Sequence, residues 1–326
     1  MFMKKLLFLG AAALALSATS CSSDEDVKSP AAGVIEFGDL FVDNATRATD
    51  LNNTNLEDFK VWGFMGSPAG VVFDGETVSK TAGVWTYNNL QYWTASKSYW
   101  FSGVAPATGA HWTFTPAVAE AAEYNGGGVL AFNNREANGE QDLIYAWSGK
   151  VTCETPSTMK KVGMTFDHML SRVMFTFQND MKNVNTTIVV KNVRINDAYE
   201  EGSIDMTKAN PLWSVSKPTL ALGFSDFGGN IAITDKGVTG TNYLIPADHA
   251  YNLTFTVELW QGGNLAATYN HDVTMPQVDM QRGYSYNFVT KLNADNIDPA
   301  GKLYPIEFEV NAVNDWNDAP DTEIVK

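Results

Sequence analysis

Few residues in this chain combine the type and the spacing to do chemistry, and Cys21 is the first of them. Lys4 and Lys5 precede an apolar run over residues 6–16, and Ser17, Ala18, Thr19 and Ser20 stand directly before the thiol. A positive region, an apolar run too short to span a bilayer and a small-residue site make an export-type segment. The thiol therefore falls at the expected cut. The other cysteine, Cys153, lies between Val151-Thr152 and Glu154 in a strand-like stretch and is expected to be a buried, inert thiol. Two cysteines make neither a disulfide framework nor a Cys-rich metal site.

The catalytic search returns little. His111, His168, His249 and His271 form neither a helical HExxH pair nor a Cys/His cluster. His168 follows a strand-like run and is expected to be a hydrogen-bonded structural residue. Gly66-Ser67 lacks the preceding spacing of a nucleophile elbow. Gly126-Gly127-Gly128 lacks the Lys and Ser/Thr of a phosphate loop and reads as a turn. Residues 295–298 and 314–318 are rich in Asp and Asn, whose oxygens suit calcium. They lack EF-hand spacing, and such clusters are also ordinary turn chemistry. No catalytic residue, resident metal or cofactor is expected, so the chain does not read as an enzyme.

Aromatics crowd residues 85–114, with Trp93, Trp100 and Trp112 as the side chains best shaped to stack on a sugar ring. Two readings stand: a carbohydrate platform, or the core of a sandwich, since aromatics dominate core burial. Strand-like alternation favours the core.

The elements that would position these residues are strands almost throughout. Short runs rich in Val, Ile, Thr, Phe, Tyr and Trp alternate with Gly, Asn, Asp and Pro beyond residue 55. Expected strands cover residues 61–64, 85–87, 99–104, 112–114, 129–132, 142–147, 162–166, 172–177, 187–195, 252–260, 284–292 and 305–310. Residues 252–260 alternate cleanly, with Leu253, Phe255, Val257 and Leu259 on one side and Thr254, Thr256 and Glu258 on the other. Residues 117–124 offer at most two helical turns. Turn signals recur at about 8–12 residues, the rhythm of sandwiches.

Composition bounds the function. The net charge of −15 becomes −17 once Lys4 and Lys5 leave with the signal. That balance argues against nucleic acid, whose phosphates need clustered Lys and Arg, and against anionic lipid surfaces. It suits an extracellular body. A length of 326 residues with 44% hydrophobic content favours two domains with real cores. The expected boundaries are a signal over 1–20, an acidic tether over 21–33, an N-terminal sandwich over 34–157 and a C-terminal one over 158–326. Thr155-Pro156-Ser157-Thr158 supplies the break between the halves.

The order Lys-Lys, apolar run, small residues, Cys21 resembles a lipoprotein signal, with Ala18 where leucine is usual. The resemblance implies cutting before Cys21 and acylation of it; a plain secretory signal with an incidental cysteine is the alternative. Ser22-Ser23-Asp24-Glu25-Asp26 resembles the acidic signal that sends lipoproteins of Bacteroidetes-type bacteria to the cell exterior.

A second resemblance spans most of the chain. Residues 41–49 resemble a pre-strand ending in a Thr-Arg-Ala-Thr cut site, and Tyr92-Trp93 with Tyr99-Trp100-Phe101 resembles an aromatic pair and strand. Phe166-Asp167-His168-Met169-Leu170-Ser171-Arg172-Val173 and Val313-Asn314-Asp315-Trp316 complete the set. In this order they resemble the fimbrillin-like lipoproteins, which include type V pilus subunits of Bacteroidales. The resemblance implies an all-β chain of two transthyretin-like sandwiches in tandem. It also implies outer-membrane anchoring through lipid and surface exposure, with fimbrial localisation once processed. Proteolysis at Arg47 would release the first strand, residues 34–42, and other pilin subunits would replace it by strand complementation in cell adhesion. In that family a C-terminal extension donates the strand; here few apolar residues follow Trp316, so Ile324 and Val325 are expected to complete the chain's own sheet. The alternative is a stand-alone surface lipoprotein that binds glycans or another ligand, with residues 85–114 as its platform.

Overall fold

A computed structural model of the protein describes residues 33–43, 50–66, 70–117, 127–182, 185–229, 231–301 and 305–314. In the first half the strands are β1 (Phe37–Val42), β2 (Asp58–Met65), β3 (Gly70–Thr81), β4 (Val84–Thr86) and β5 (Lys97–Ala105). They continue as β6 (Trp112–Pro116), β7 (Gly128–Asn133), β8 (Ile144–Trp147), β9 (Val151–Cys153) and β10 (Val162–His168). The second half begins with β11 (Ser171–Asn179), β12 (Thr186–Tyr199), β13 (Glu201–Asp205), β14 (Trp213–Val215), β15 (Pro218–Gly223) and β16 (Ala232–Ile233). It closes with β17 (Val238–Leu244), β18 (Asp248–His249), β19 (Asn252–Gln261), β20 (Asn264–Thr274), β21 (Val278–Asp279), β22 (Tyr284–Leu292) and β23 (Glu309–Asn314). The all-β expectation holds. The α-helix among the described residues is a single turn, Asn134–Ala137, capped by the Asn133 side chain.

An eight-stranded sheet runs β1-β10-β8-β5-β2-β3-β4, with β9 on β5. Its inward face carries Phe37, Phe59, Phe73, Phe101 and Phe166, packed mainly edge to face. Later in the chain, β17-β11-β22-β23 and β15-β12-β19-β20 enclose a second core around Phe175, Phe177, Phe255 and Phe288. The alternation read over residues 252–260 is realised: Leu253, Phe255 and Val257 are buried. β11 is buried on both faces because β17 and β22 flank it and other elements cover it, so Met174 and Thr176 are as enclosed as Phe175.

Three expectations differ from the structure. β10, beyond the expected break at Thr155–Thr158, pairs with β1 and β8 in the first sheet. A third sheet, β14-β13-β7-β6, joins strands from both sides of that break. The second-half strands β13 and β14 thus complete a layer begun by Trp112 and Phe114. Residues 305–308 alternate in sequence but form no ladder; Ile306 and Phe308 sink into the core, while β23 starts only at Glu309. Most of residues 117–124 and all of 315–326, including Trp316, Ile324 and Val325, lie outside the described residues. No helix among the described residues is long and apolar enough to cross a membrane.

Polar side chains tie the two halves. Arg172 is fully buried, forms an ion pair with the fully buried Asp50, and donates from Nε to Ser285 Oγ at 3.1 Å. Tyr243 donates its hydroxyl to the same aspartate. Next to it, the Leu51 amide donates to Asp142 at 2.9 Å, and Asp142 lies 3.0 Å from His168 Nδ1. His168 is thus the structural histidine its sequence setting implied. Removing one member of a buried pair strands the other charge and costs about 3–5 kcal/mol. Asp50→Ala is therefore expected to lower unfolding free energy by that amount in urea. Combining it with Arg172→Met should recover most of the loss.

Candidate functional site

The candidate site is the first strand and the trough it fills. β1 is an end strand of its sheet and pairs on one side only, parallel to β10. Its approach is well held. Ile35 N donates to Gln91 O at 2.8 Å, Trp93 N donates to Gly33 O at 2.7 Å, and Tyr87 donates its hydroxyl to Ile35 O at 2.6 Å. Ile35, Phe37 and Val42 are essentially inaccessible. The Phe37 ring meets Phe59, Phe73 and Phe101 at 5.6–5.9 Å between centroids. Burying three such side chains contributes about 1.5–3 kcal/mol each.

The strand is not regular. Between Phe37 and Leu40 the register slips: three residues of β1 oppose two of β10, and Asp39 has a φ of 50°. This bulge switches the buried side chains from odd to even positions, which is why Val42 is buried and Phe41 is 49% exposed. The end of β1 is bracketed by Asn53, whose Oδ1 accepts from Val42 N at 2.7 Å and whose Nδ2 donates to Val42 O at 3.3 Å. Arg47 and Cys21 lie outside the described residues. The chain returns at Asp50, gripped from the second half by Arg172 and Tyr243.

The aromatic platform is largely absorbed by packing. Trp93 is 5% exposed in the first core, its ring 4.7 Å from that of Tyr99, and Trp112 is 8% exposed against Trp62. Trp100 is half-buried, packed beside Gly66 with Lys150 Nζ 6.0 Å from its ring centre. The structure does not bring the three faces together as a stacking surface. Cys153 is fully buried, and burial pushes its thiol pKa up. Among the described residues no group of three or more His, Cys, Asp or Glu is arranged to hold a metal ion. The Asp50–Arg172 clamp went unread in the sequence. Its signal was an arginine amid the apolar residues of β11, which demands a buried anion.

Burial drives the Tyr87 phenol up to about 12, helped by the nearby Glu36 carboxylate. Its proton is thus held more tightly in the folded chain than in the unfolded one. The resulting stabilisation is complete below about pH 10, the free phenol value, and is lost as pH rises toward about 12. Tyr87→Phe should cost about 1 kcal/mol at neutral pH through the lost bond to Ile35 O. Thermal melts from pH 9 upward should then show a shallower alkaline decline in the variant than in the parent chain.

Comparison with known proteins follows the same lines. A family model described as fimbrillin-like matches residues 46–316. A crystallised fimbrial protein from Bacteroides vulgatus superposes with a TM-score of 0.63 at 16% identity, covering 87% of this chain and 100% of that one. A candidate cell adhesion protein from Bacteroides ovatus superposes at 0.54 and 14% identity, covering 88% and 99%. At such identities the structures speak to the fold alone. No curated protein matches the chain. With a family model spanning most of its length, the chain belongs to the fimbrillin-like family.

Proposed function

We propose that this protein is a surface-displayed fimbrillin-like lipoprotein, acylated at Cys21 and acting in adhesion as a subunit or accessory component of a type V-like pilus. Two transthyretin-like sandwiches would form its body, and the lipid would tether it to the outer membrane. The observation that carries this reading is the one-sided attachment of β1. Ile35, Phe37 and Val42 fill a trough in the first core, yet the backbone of β1 has a single sheet neighbour.

Loss of the strand would uncover apolar rings and a row of unpaired β10 backbone groups, which a strand from another subunit can cover. Arg47 stands between β1 and the clamped Asp50, so a cut there would separate residues 21–47 and the lipid from the rest. The clamp would hold the new N-terminal region in place. An acyl chain contributes about 0.8 kcal/mol per buried CH₂, so several chains on Cys21 anchor firmly.

Treating the full-length chain with an arginine-specific protease should expose Ala48 as the new N-terminus and yield ordered oligomers. Arg47→Ala should block both. A cut product that stays monomeric and binds no hydrophobic dye would remove the strand-exchange reading. Separately, Cys21→Ser should shift the protein from the membrane fraction to the soluble one, or leave the signal uncut. Unchanged membrane partitioning and a native mass without acyl chains would reject lipidation.

A further inference from the structure

The second half contains a groove that strand exchange does not use. It measures about 830 Å³ and lies along β20, an end strand of its sheet, facing residues 296–299 and 305–308. The sequence makes its walls in two ways. Ile306 and Phe308 are pulled into the core, which fixes the intervening Glu307 outward and leaves its carbonyl to accept from Thr290 Oγ1 at 2.7 Å. On the opposite wall His271 sits across from Phe255 in the β19–β20 ladder and stacks on it, with ring centres 4.9 Å apart and planes at 16°.

His271 is the informative residue. It is 7% exposed, it borders the groove, and its Nε2 has no hydrogen-bond partner. A buried polar atom without a partner costs about 1–3 kcal/mol, so such an atom beside a groove marks where a partner belongs. Burial depresses the imidazole pKa, which keeps the ring neutral; a backbone hydrogen bond with Ile297 opposes that shift. A hydroxyl serves a neutral ring in either tautomer, because it both donates and accepts.

The remaining lining narrows the ligand. Asp272, Asp298 and Glu307 border the groove, Asp272 accepting from the Asn252 side chain and Asp298 from the Ala300 amide, and the lining contains no Lys or Arg. Phosphorylated, sulfated or uronate-bearing polymers are repelled by that charge. Carboxylates do accept hydrogen bonds from neighbouring hydroxyls. Pro299 and Pro305, both exposed, add apolar surface for the C–H face of a ring. Apolar walls with a few convergent polar groups are the general form of a small-ligand site.

We propose that this groove binds a neutral, polyhydroxylated glycan, with a sugar hydroxyl partnering His271 Nε2 once a small shift of the groove wall uncovers that buried atom, and with Asp298 and Glu307 accepting from further hydroxyls. The proposal takes its setting from the adhesion reading. It requires neither cleavage at Arg47 nor assembly, so it is measured on the full-length uncut chain, and failure to polymerise leaves it standing.

The experiment is native electrophoresis through gels containing yeast mannan, dextran, galactan or xyloglucan, with chondroitin sulfate and poly-lysine as charged probes. Retardation by at least one neutral glycan and none by chondroitin sulfate is expected. His271→Phe keeps the ring stacked on Phe255 and removes the orphan nitrogen. It also removes the hydrogen bond with Ile297, so the variant is expected to melt cooperatively at a somewhat lower temperature; binding measured well below that melt should still show an apparent Kd about tenfold weaker, which a merely structural histidine would not produce in a folded chain. Asp298→Ala with Glu307→Gln should weaken binding at least as much. No retardation by any of the four neutral glycans overturns the proposal, as does retention by poly-lysine alone. Binding that survives His271→Phe but is lost in Trp100→Ala also overturns it, and returns the site to the aromatic strand.

Discussion

The ion pair between Asp50 and Arg172 is the constraint on which the rest of this architecture leans. Both side chains are fully buried and stand 122 residues apart in the chain. Withdrawing two charges from water costs several kcal/mol for each, and hydrogen bonds from Tyr243 to Asp50 and from Arg172 to Ser285 help offset that cost. A pair this demanding has one acceptable arrangement. It fixes β11 of the second half against the start of the segment that leads into β2, and Asp142 and His168 extend the polar contact to β8 and β10. The two halves are therefore not independent bodies joined by a linker. The sheet that β6 and β7 share with β13 and β14 says the same in backbone hydrogen bonds.

That arrangement divides the early chain into two regimes. Residues 33–42 are held by one parallel neighbour, a few loop hydrogen bonds and three apolar side chains. From Asp50 onward the chain is held by buried charge and by β2, which has partners on both sides. Strand-level cohesion thus differs between the segment that ends at Val42 and the one that begins at Asp50, and Arg47 stands between the two in sequence.

What the sequence made legible followed local periodicity. β19 and β10 alternate in sequence and in burial, and Cys153 is the buried core thiol that its strand-like neighbours implied. What it hid was non-local. β3 reads as an undistinguished run because it carries an extra residue against β2 twice, opposite Val61/Trp62 and opposite Gly63/Phe64, which breaks its period. The affiliation of β10 could not be read from its own residues, since the same apolar alternation serves either core. Trp93 and Trp112 carry the composition of a stacking surface, and only their placement shows those faces spent on packing. The groove along β20 depends on residues 305–308 declining to pair, which no pattern within them announces.

The bulge at Asp39 has a consequence for recognition. A trough shaped around β1 accepts side chains at 35 and 37, then at 42, so its subsites change parity partway along. A strand of strict alternation fits either the first two subsites or the last, and presents a polar side chain to the others. Only a segment that carries its own one-residue slip, with a residue tolerant of positive φ at the slip, satisfies all of them. Under the proposed strand exchange the trough would work as a combination lock: its selectivity would lie in where a partner breaks its rhythm rather than in how hydrophobic that partner is.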